Sequence, residues 1–109
     1  MPVAYKILGQ LAPPATTEQD LYTVPASTEA VASSVTITNR GATVATFRVA
    51  VVQAGGVTAN TDYLYYDLPI AGYDTFIATI GVTLEATDVI RAYASSANLT
   101  FQLFGSEIT

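Results

Sequence analysis

Acid–base chemistry in this chain would have to come from Asp62, Asp67, Asp74, Glu85 and Asp88, because two carboxylates facing each other across a cleft can hydrolyse a glycoside. Each of them falls at the expected end of a strand or in a turn, where Asp serves as a cap. The sequence contains no His and no Cys. That removes the usual general base, the thiol nucleophile, the transition-metal ligands and any disulfide. Asn60 with Asp62 is the one pair spaced like part of a calcium loop, well short of the set of oxygens such an ion needs. Gly55-Gly56 lacks the Lys and the helix of a phosphate-cradling loop. The expectation is a protein that is not an enzyme, with no cofactor, no bound metal and no small-molecule substrate.

The cations are as sparse. Lys and Arg number 4 against 9 Asp and Glu, for a net charge of −5 and a pI of about 4.2. This balance argues against nucleic acid as a partner, since phosphate neutralisation needs clustered Lys or Arg. Arg48 and Arg91 fall on the polar faces of their strands, where each would pair with a carboxylate across the sheet or bridge to a neighbouring subunit. Charged residues make up 12% of the chain, about half the average of roughly 25%. Much of the surface must then be Thr, Ser, Ala and Tyr. Two readings follow: a partner covers part of it, or it is a neutral, soluble, Thr-rich sheet face. No apolar run approaches the roughly 18 residues of a membrane helix, and residues 1–11 lack the apolar core and cleavage site of a secretory leader. The protein is expected to act where it is made or assembled, without a membrane.

Positioning these residues falls to strands. A chain of 109 residues makes one domain with one modest core. The clearest instruction lies in residues 31–53, where Val31, Ser33, Val35 and Ile37, and then Ala45, Phe47, Val49 and Val51, alternate on either side of Asn39-Arg40-Gly41. This reads as a β-hairpin, with Gly41 in the left-handed conformation that closes a type I turn. Residues 3–11 are apolar enough for a strand, and Ala12-Pro13-Pro14 stops it. The expected organisation is an N-terminal arm and Pro-rich hinge over 1–19, then a β-sandwich domain over 20–109. The arm, with Val3, Tyr5 and Ile7, either docks on a neighbouring subunit or is an ordinary edge strand.

Residues 20–24 form a short strand, and 54–61 the longest internal loop. Tyr63-Leu64-Tyr65-Tyr66-Asp67-Leu68 is apolar on both faces, so one face meets the core and the other something else, and Pro69 limits pairing beyond it. Tyr63, Tyr65 and Tyr66 are candidates for a subunit interface, with Arg48, Val3, Tyr5 and Ile7 beside them. Further strands begin at Thr75, with Gly81 interrupting, at Asp88 and at Leu99, the last ending at Phe104 before a short tail. No stretch keeps a helical period. The pattern is all-β, an antiparallel β-sandwich of about seven to eight strands, jelly-roll-like or immunoglobulin-like.

Several stretches taken in order resemble a family of small virion structural proteins of tailed bacteriophages, particularly marine and cyanobacterial phages. They are Leu21-Tyr22-Thr23-Val24-Pro25-Ala26, the run Ser33-Ser34-Val35-Thr36-Ile37-Thr38-Asn39-Arg40-Gly41-Ala42-Thr43, Thr46-Phe47-Arg48-Val49-Ala50-Val51, Tyr63-Leu64-Tyr65-Tyr66-Asp67, Leu84-Glu85-Ala86-Thr87-Asp88-Val89 and Phe101-Gln102-Leu103-Phe104-Gly105-Ser106-Glu107-Ile108. The resemblance runs from Leu21 to the C-terminus and brings no catalytic residues with it. It implies a β-sandwich present in many copies on the virion, assembled in the host cytoplasm. The leading expectation is a capsid decoration, or cement, protein, a homo-oligomer with a trimer favoured, whose partner is the major capsid protein. The alternatives are a tail or fibre-associated protein, or a carbohydrate-binding sandwich recognising the host surface through Tyr63, Tyr65 or Tyr73.

Overall fold

The structure, a computed structural model, describes residues 2–109. It contains eight strands: β1 (Val3–Leu11), β2 (Gln19–Thr23), β3 (Glu29–Asn39), β4 (Ala45–Val52), β5 (Tyr63–Ile70), β6 (Thr75–Leu84), β7 (Val89–Ala94) and β8 (Leu99–Ile108). Two four-stranded sheets face each other, the first in the order β1-β8-β3-β6 and the second β2-β7-β4-β5. Every pairing is antiparallel. The order has a simple origin. A chain doubled back at the β4–β5 connection pairs β4 with β5, β3 with β6, β2 with β7 and β1 with β8, and rolling that ribbon adds the β3–β8 and β4–β7 pairs. This is the jelly roll, which decides between the two sandwich types that the sequence leaves open.

The inner faces follow from alternation. Val35 and Ile37, Phe47 and Val49, Ile90, Ala92 and Ala94, and Leu99, Phe101 and Leu103 are all buried between the sheets. Among the described residues, no buried side-chain nitrogen or oxygen lacks a hydrogen-bond partner.

Residues 31–53 do not form the expected hairpin. β3 and β4 lie in opposite sheets, and residues 40–44 carry the chain across the sandwich. Alternation states that each strand has one buried face; it does not distinguish two strands that pair from two that face one another. Asn39 fixes the crossing. It is buried, its amide donates to the carbonyls of Thr43 (2.9 Å) and Ile70 (3.2 Å), and its Oδ1 accepts the Gly41 N–H (2.9 Å). Gly41 is not among the residues with positive φ. It is needed for room, since a Cβ there would stand 2.6 Å from the Asn98 amide nitrogen.

Three other boundaries shift. β8 continues through Gly105 to Ile108, where a tail was expected, because this segment pairs with both β1 and β3. β6 runs through Gly81, and β5 through Pro69, which an edge strand tolerates. Residues 3–11, for which the sequence allows a docking arm or an ordinary edge strand, form the edge strand β1, paired with β8 along its length. In the expected hinge, Pro13 is fully buried and the Thr16 N–H donates to the Ala94 carbonyl at 2.8 Å. Met1 lies outside the described residues.

A line of irregularities crosses the first sheet. The register shifts between Ile7 and Gly9 in β1 and between Ala32 and Ser34 in β3, while Gly81 of β6 takes φ +58°. Such bulges increase the local twist and bend. At this bend β3 presses on β8: a Cβ on Gly105 would lie 1.9 Å from the Val31 carbonyl oxygen, whereas one on Gly81 would meet nothing within 4 Å. The two glycines therefore predict different outcomes. Gly105→Ala should destabilise by at least about 3 kcal/mol, the upper end of single-residue effects. Gly81→Ala should cost only the left-handed backbone penalty of about 1–2 kcal/mol. Urea denaturation of both variants checks this ordering.

Candidate functional site

Of the carboxylates considered for chemistry, Glu85 and Asp88 line one surface hollow of about 300 Å³ with Glu29, and Asp62, Asp67 and Asp74 lie outside it. Asp62 accepts the Ala59 N–H at 2.8 Å, and Asp74 accepts the Thr75 N–H at 2.8 Å. Asp88, buried, accepts the N–H groups of Ala54 and Glu85, each at 3.0 Å. Asp67 pairs with Arg48. Each holds a turn or a strand pair, as Asp commonly does. Among the described residues, no three His, Cys, Asp or Glu side chains gather as a metal site would require.

The outer face of the second sheet carries most of the ordered charge. Phe47 and Val49 point into the core, so Arg48 between them points out, opposite Tyr93 of β7. Its guanidinium lies 4.2 Å from the ring centre of Tyr66 and 4.3 Å from that of Tyr93. Asp67, at φ +52°, grips it at 2.6 and 3.2 Å. That bidentate hydrogen bond raises the Arg48 pKa and holds the Asp67 carboxyl below its ordinary value. Arg91 pairs with Asp20 across β7 and β2 at 2.9 Å and also binds the Gly56 carbonyl (2.6 Å) and Thr58 Oγ1 (2.9 Å). It thereby fastens the 54–61 loop to the sheet.

The three tyrosines of β5 separate. Tyr63 stands opposite Ala50 and Tyr65 opposite Val49, so the register shifts between them. This slip turns Tyr65 inward, where its ring packs on Phe76 (5.2 Å between centroids) and Phe47 (6.0 Å). Tyr63 and Tyr66 meet edge to face at 4.9 Å and 77°. With Asn60 they line a surface hollow of about 370 Å³. In the sequence Asn60 stands out only as part of a calcium-like pair and Tyr93 not at all; the 3₁₀ turn before β5 brings Asn60 beside Tyr66, and the β4–β7 register sets Tyr93 opposite Arg48.

The outer face of the first sheet is different in kind. The register turns Val3, Tyr5 and Ile7 of β1 to the same side as Phe104 and Ile108 of β8, with Tyr5 86% exposed. Thr36, Thr38, Thr75, Thr79 and Gln102 continue the surface toward Ile77, 70% exposed, on β6. Among the described residues, Glu29, opposite Ile108 at one corner, is the only charged residue that the strand register places on this face, and Arg40, outside the strands, reaches its margin by donating to Thr100 Oγ1 at 2.9 Å. Lys6 points the other way and binds Glu107 Oε1 at 2.8 Å, while Tyr22 of the facing sheet donates to Glu107 Oε2 at 2.5 Å.

No family model matches the chain, and no curated protein does. Among solved structures, a chain in the structure of infectious bursal disease virus, Gx strain, is similar over 97% of this chain and 31% of its own, with a TM-score of 0.53 and 7% identity. The Gt strain gives 96% and 31%, a TM-score of 0.48 and 8% identity. A pentameric capsid protein isolated from metagenomic phage sequences is covered over 62% by 95% of this chain, with a TM-score of 0.29 and 13% identity. What the first of these shares is the fold. All three are viral, and the present chain spans about a third of the length of the two bursal disease virus chains.

The Lys6–Glu107–Tyr22 group joins β1 and β8 to the facing sheet, and its energetics are testable. Hydrogen bonds from Lys6 and then Tyr22 lower the Glu107 pKa beneath its ordinary 4.5. Burial, followed by Glu107, raises the Tyr22 phenol above its ordinary 10.0, which keeps it a donor. A depressed carboxylate pKa stabilises the fold fully above the unfolded value, and this contribution is lost as pH falls through the native one. Lys6 is half exposed and contributes little. Tyr22→Phe should therefore cost about 1.5–3 kcal/mol at pH 7, as for a hydrogen bond to a charged group. The gap from the parent should narrow below pH 4.5, read as thermal melts at pH 7 and pH 3.

Proposed function

We propose that the protein is a structural component of a bacteriophage particle, a capsid decoration protein that binds the major capsid protein across neighbouring shell subunits, with a homotrimer as the favoured state. The observation that carries this reading is the outer face of the first sheet. It offers Val3, Tyr5, Ile7, Phe104 and Ile77 among Thr and Gln residues, with charge only at its margins, from Glu29 at one corner and Arg40 beside Thr100. Four strands about 4.8 Å apart and ten residues long give a footprint of roughly 600 Å², near the ~800 Å² that one side of a standard protein interface buries. In a protein of net charge −5, a face this neutral is the one that meets another surface with least desolvation and repulsion. Weak contacts of this kind, repeated over a symmetric lattice, sum to strong attachment.

The jelly-roll fold shared with a chain of a virus structure supports the reading, as does the ordered resemblance to tailed-phage structural proteins. Location on purified particles tests it. Immunogold label should cover the head; label confined to the tail selects the tail or fibre alternative, and absence from the particle refutes both. Tyr5→Asp combined with Ile77→Lys should leave the melting temperature within a few degrees of the parent, because both side chains are exposed. The same pair should reduce incorporation into particles at least tenfold. Light scattering of the isolated protein reads the oligomeric state, with a strict monomer counting against a preformed trimer.

A further inference from the structure

We propose that the hollow bounded by Asn60, Tyr63 and Tyr66 binds one ring of a neutral carbohydrate. This function lies on the opposite sheet from the proposed shell contact and does not rest on it. The hollow measures about 370 Å³, toward the small end of ligand pockets, roughly 300–1,000 Å³. Its walls are two tyrosine rings at 77° with centroids 4.9 Å apart. A pyranose has an apolar C–H face and a rim of hydroxyls. Such a ring can lay its C–H face on an aromatic face, whose quadrupole is negative, and turn its hydroxyls to the Asn60 amide, which offers two donors and one acceptor, and to the phenols.

The hollow is prepared before any ligand arrives. Tyr66 is stacked against Arg48, which is clamped by Asp67 and backed by Tyr93. Asn60 sits in the 3₁₀ turn Asn60–Asp62, closed by the Asp62 N–H to the Ala59 carbonyl at 3.0 Å. Rings and turns already held lose little freedom on binding. The same clamp decides the charge of the ligand. Arg48 and Asp67 satisfy each other, and Asp62, held by the Ala59 N–H, keeps its negative charge, so a phosphate or sugar acid finds no free cation here and a carboxylate that repels it. A proline-rich peptide needs a groove about 3.1 Å long per residue, and three residues bound a single compartment. Of the other tyrosines considered for sugar, Tyr65 is turned into the core, and Tyr73, 76% exposed, stands in the β5–β6 turn as a control.

The test is an array of neutral and acidic oligosaccharides probed with the full chain, followed by saturation-transfer NMR with the neutral monosaccharides of any retained glycan. Neutral glycans should be retained, with Tyr66→Ala and Asn60→Ala each weakening retention at least tenfold and Tyr73→Ala leaving it unchanged. Circular dichroism should show all three variants folded; if Tyr66→Ala alone is not, Asn60→Ala decides. No retention of any glycan, retention of acidic glycans alone, or retention indifferent to both Asn60→Ala and Tyr66→Ala would overturn the proposal. So would binding of proline-rich peptides in place of sugars.

Discussion

The ring of Phe47 joins the two sheets, and much else is arranged around it. It comes from β4 of one sheet, is fully buried, and meets Phe76 and Phe101 of the other at 5.2 and 6.3 Å. Aromatic contacts of this kind combine large apolar burial with a preferred geometry, so they fix how the sheets lie on each other as well as holding them together. Tyr65 closes the same cluster at the β5 edge. Once Phe47 is inward, its neighbour Arg48 must be outward. The stack of Tyr66, Arg48 and Tyr93 on the outer surface is thus the far side of the core.

The outer faces of the sandwich solve the problem of solvent contact in opposite ways. On the second sheet, Arg48 and Arg91 are paired with Asp67 and Asp20, and tyrosines cover the guanidinium of the first. On the first sheet the charges of β1 and β8 are drawn off the outer face, with Lys6 and Glu107 meeting Tyr22. What remains outside is Thr, Gln and apolar side chains, with Glu29 and Arg40 at the margins. One chain thus has a face with satisfied charge and a face with almost none, and a scaffold able to keep them apart because strand alternation separates adjacent residues.

Much of the fold was legible in the sequence because alternation is a local signal. Val35 and Ile37, Ile90 and Ala92, and Phe101 and Leu103 announce buried faces without any knowledge of partners. Pairing is not local, and there the reading failed: residues 31–53 look like a hairpin, yet Asn39 carries the chain to the opposite sheet. Bulges are equally hidden. A regular strand would put Tyr63 and Tyr65 together, and the slip between them sends Tyr65 into the core and leaves Tyr63 with Tyr66. The candidate residues Arg48, Tyr63 and Tyr66 were visible by type, and Val3, Tyr5 and Ile7 by alternation. Tyr93 reaches the same surface through register and Asn60 through the 3₁₀ turn before β5, and a single sequence prints neither.

The doubled-back order of the strands also has a kinetic meaning. β4 and β5 are joined by residues 53–62, whereas the outermost rung pairs Val3 with Ile108, nearly the whole chain apart, and the Thr109 N–H reaches the Pro2 carbonyl at 3.1 Å. Closing longer loops costs more chain entropy, and proteins rich in such distant pairings fold in milliseconds to seconds. A chain that zipped outward from the β4–β5 connection would dock β1 last. The surface carrying Val3, Tyr5 and Ile7 is therefore complete only once β1 has paired with β8.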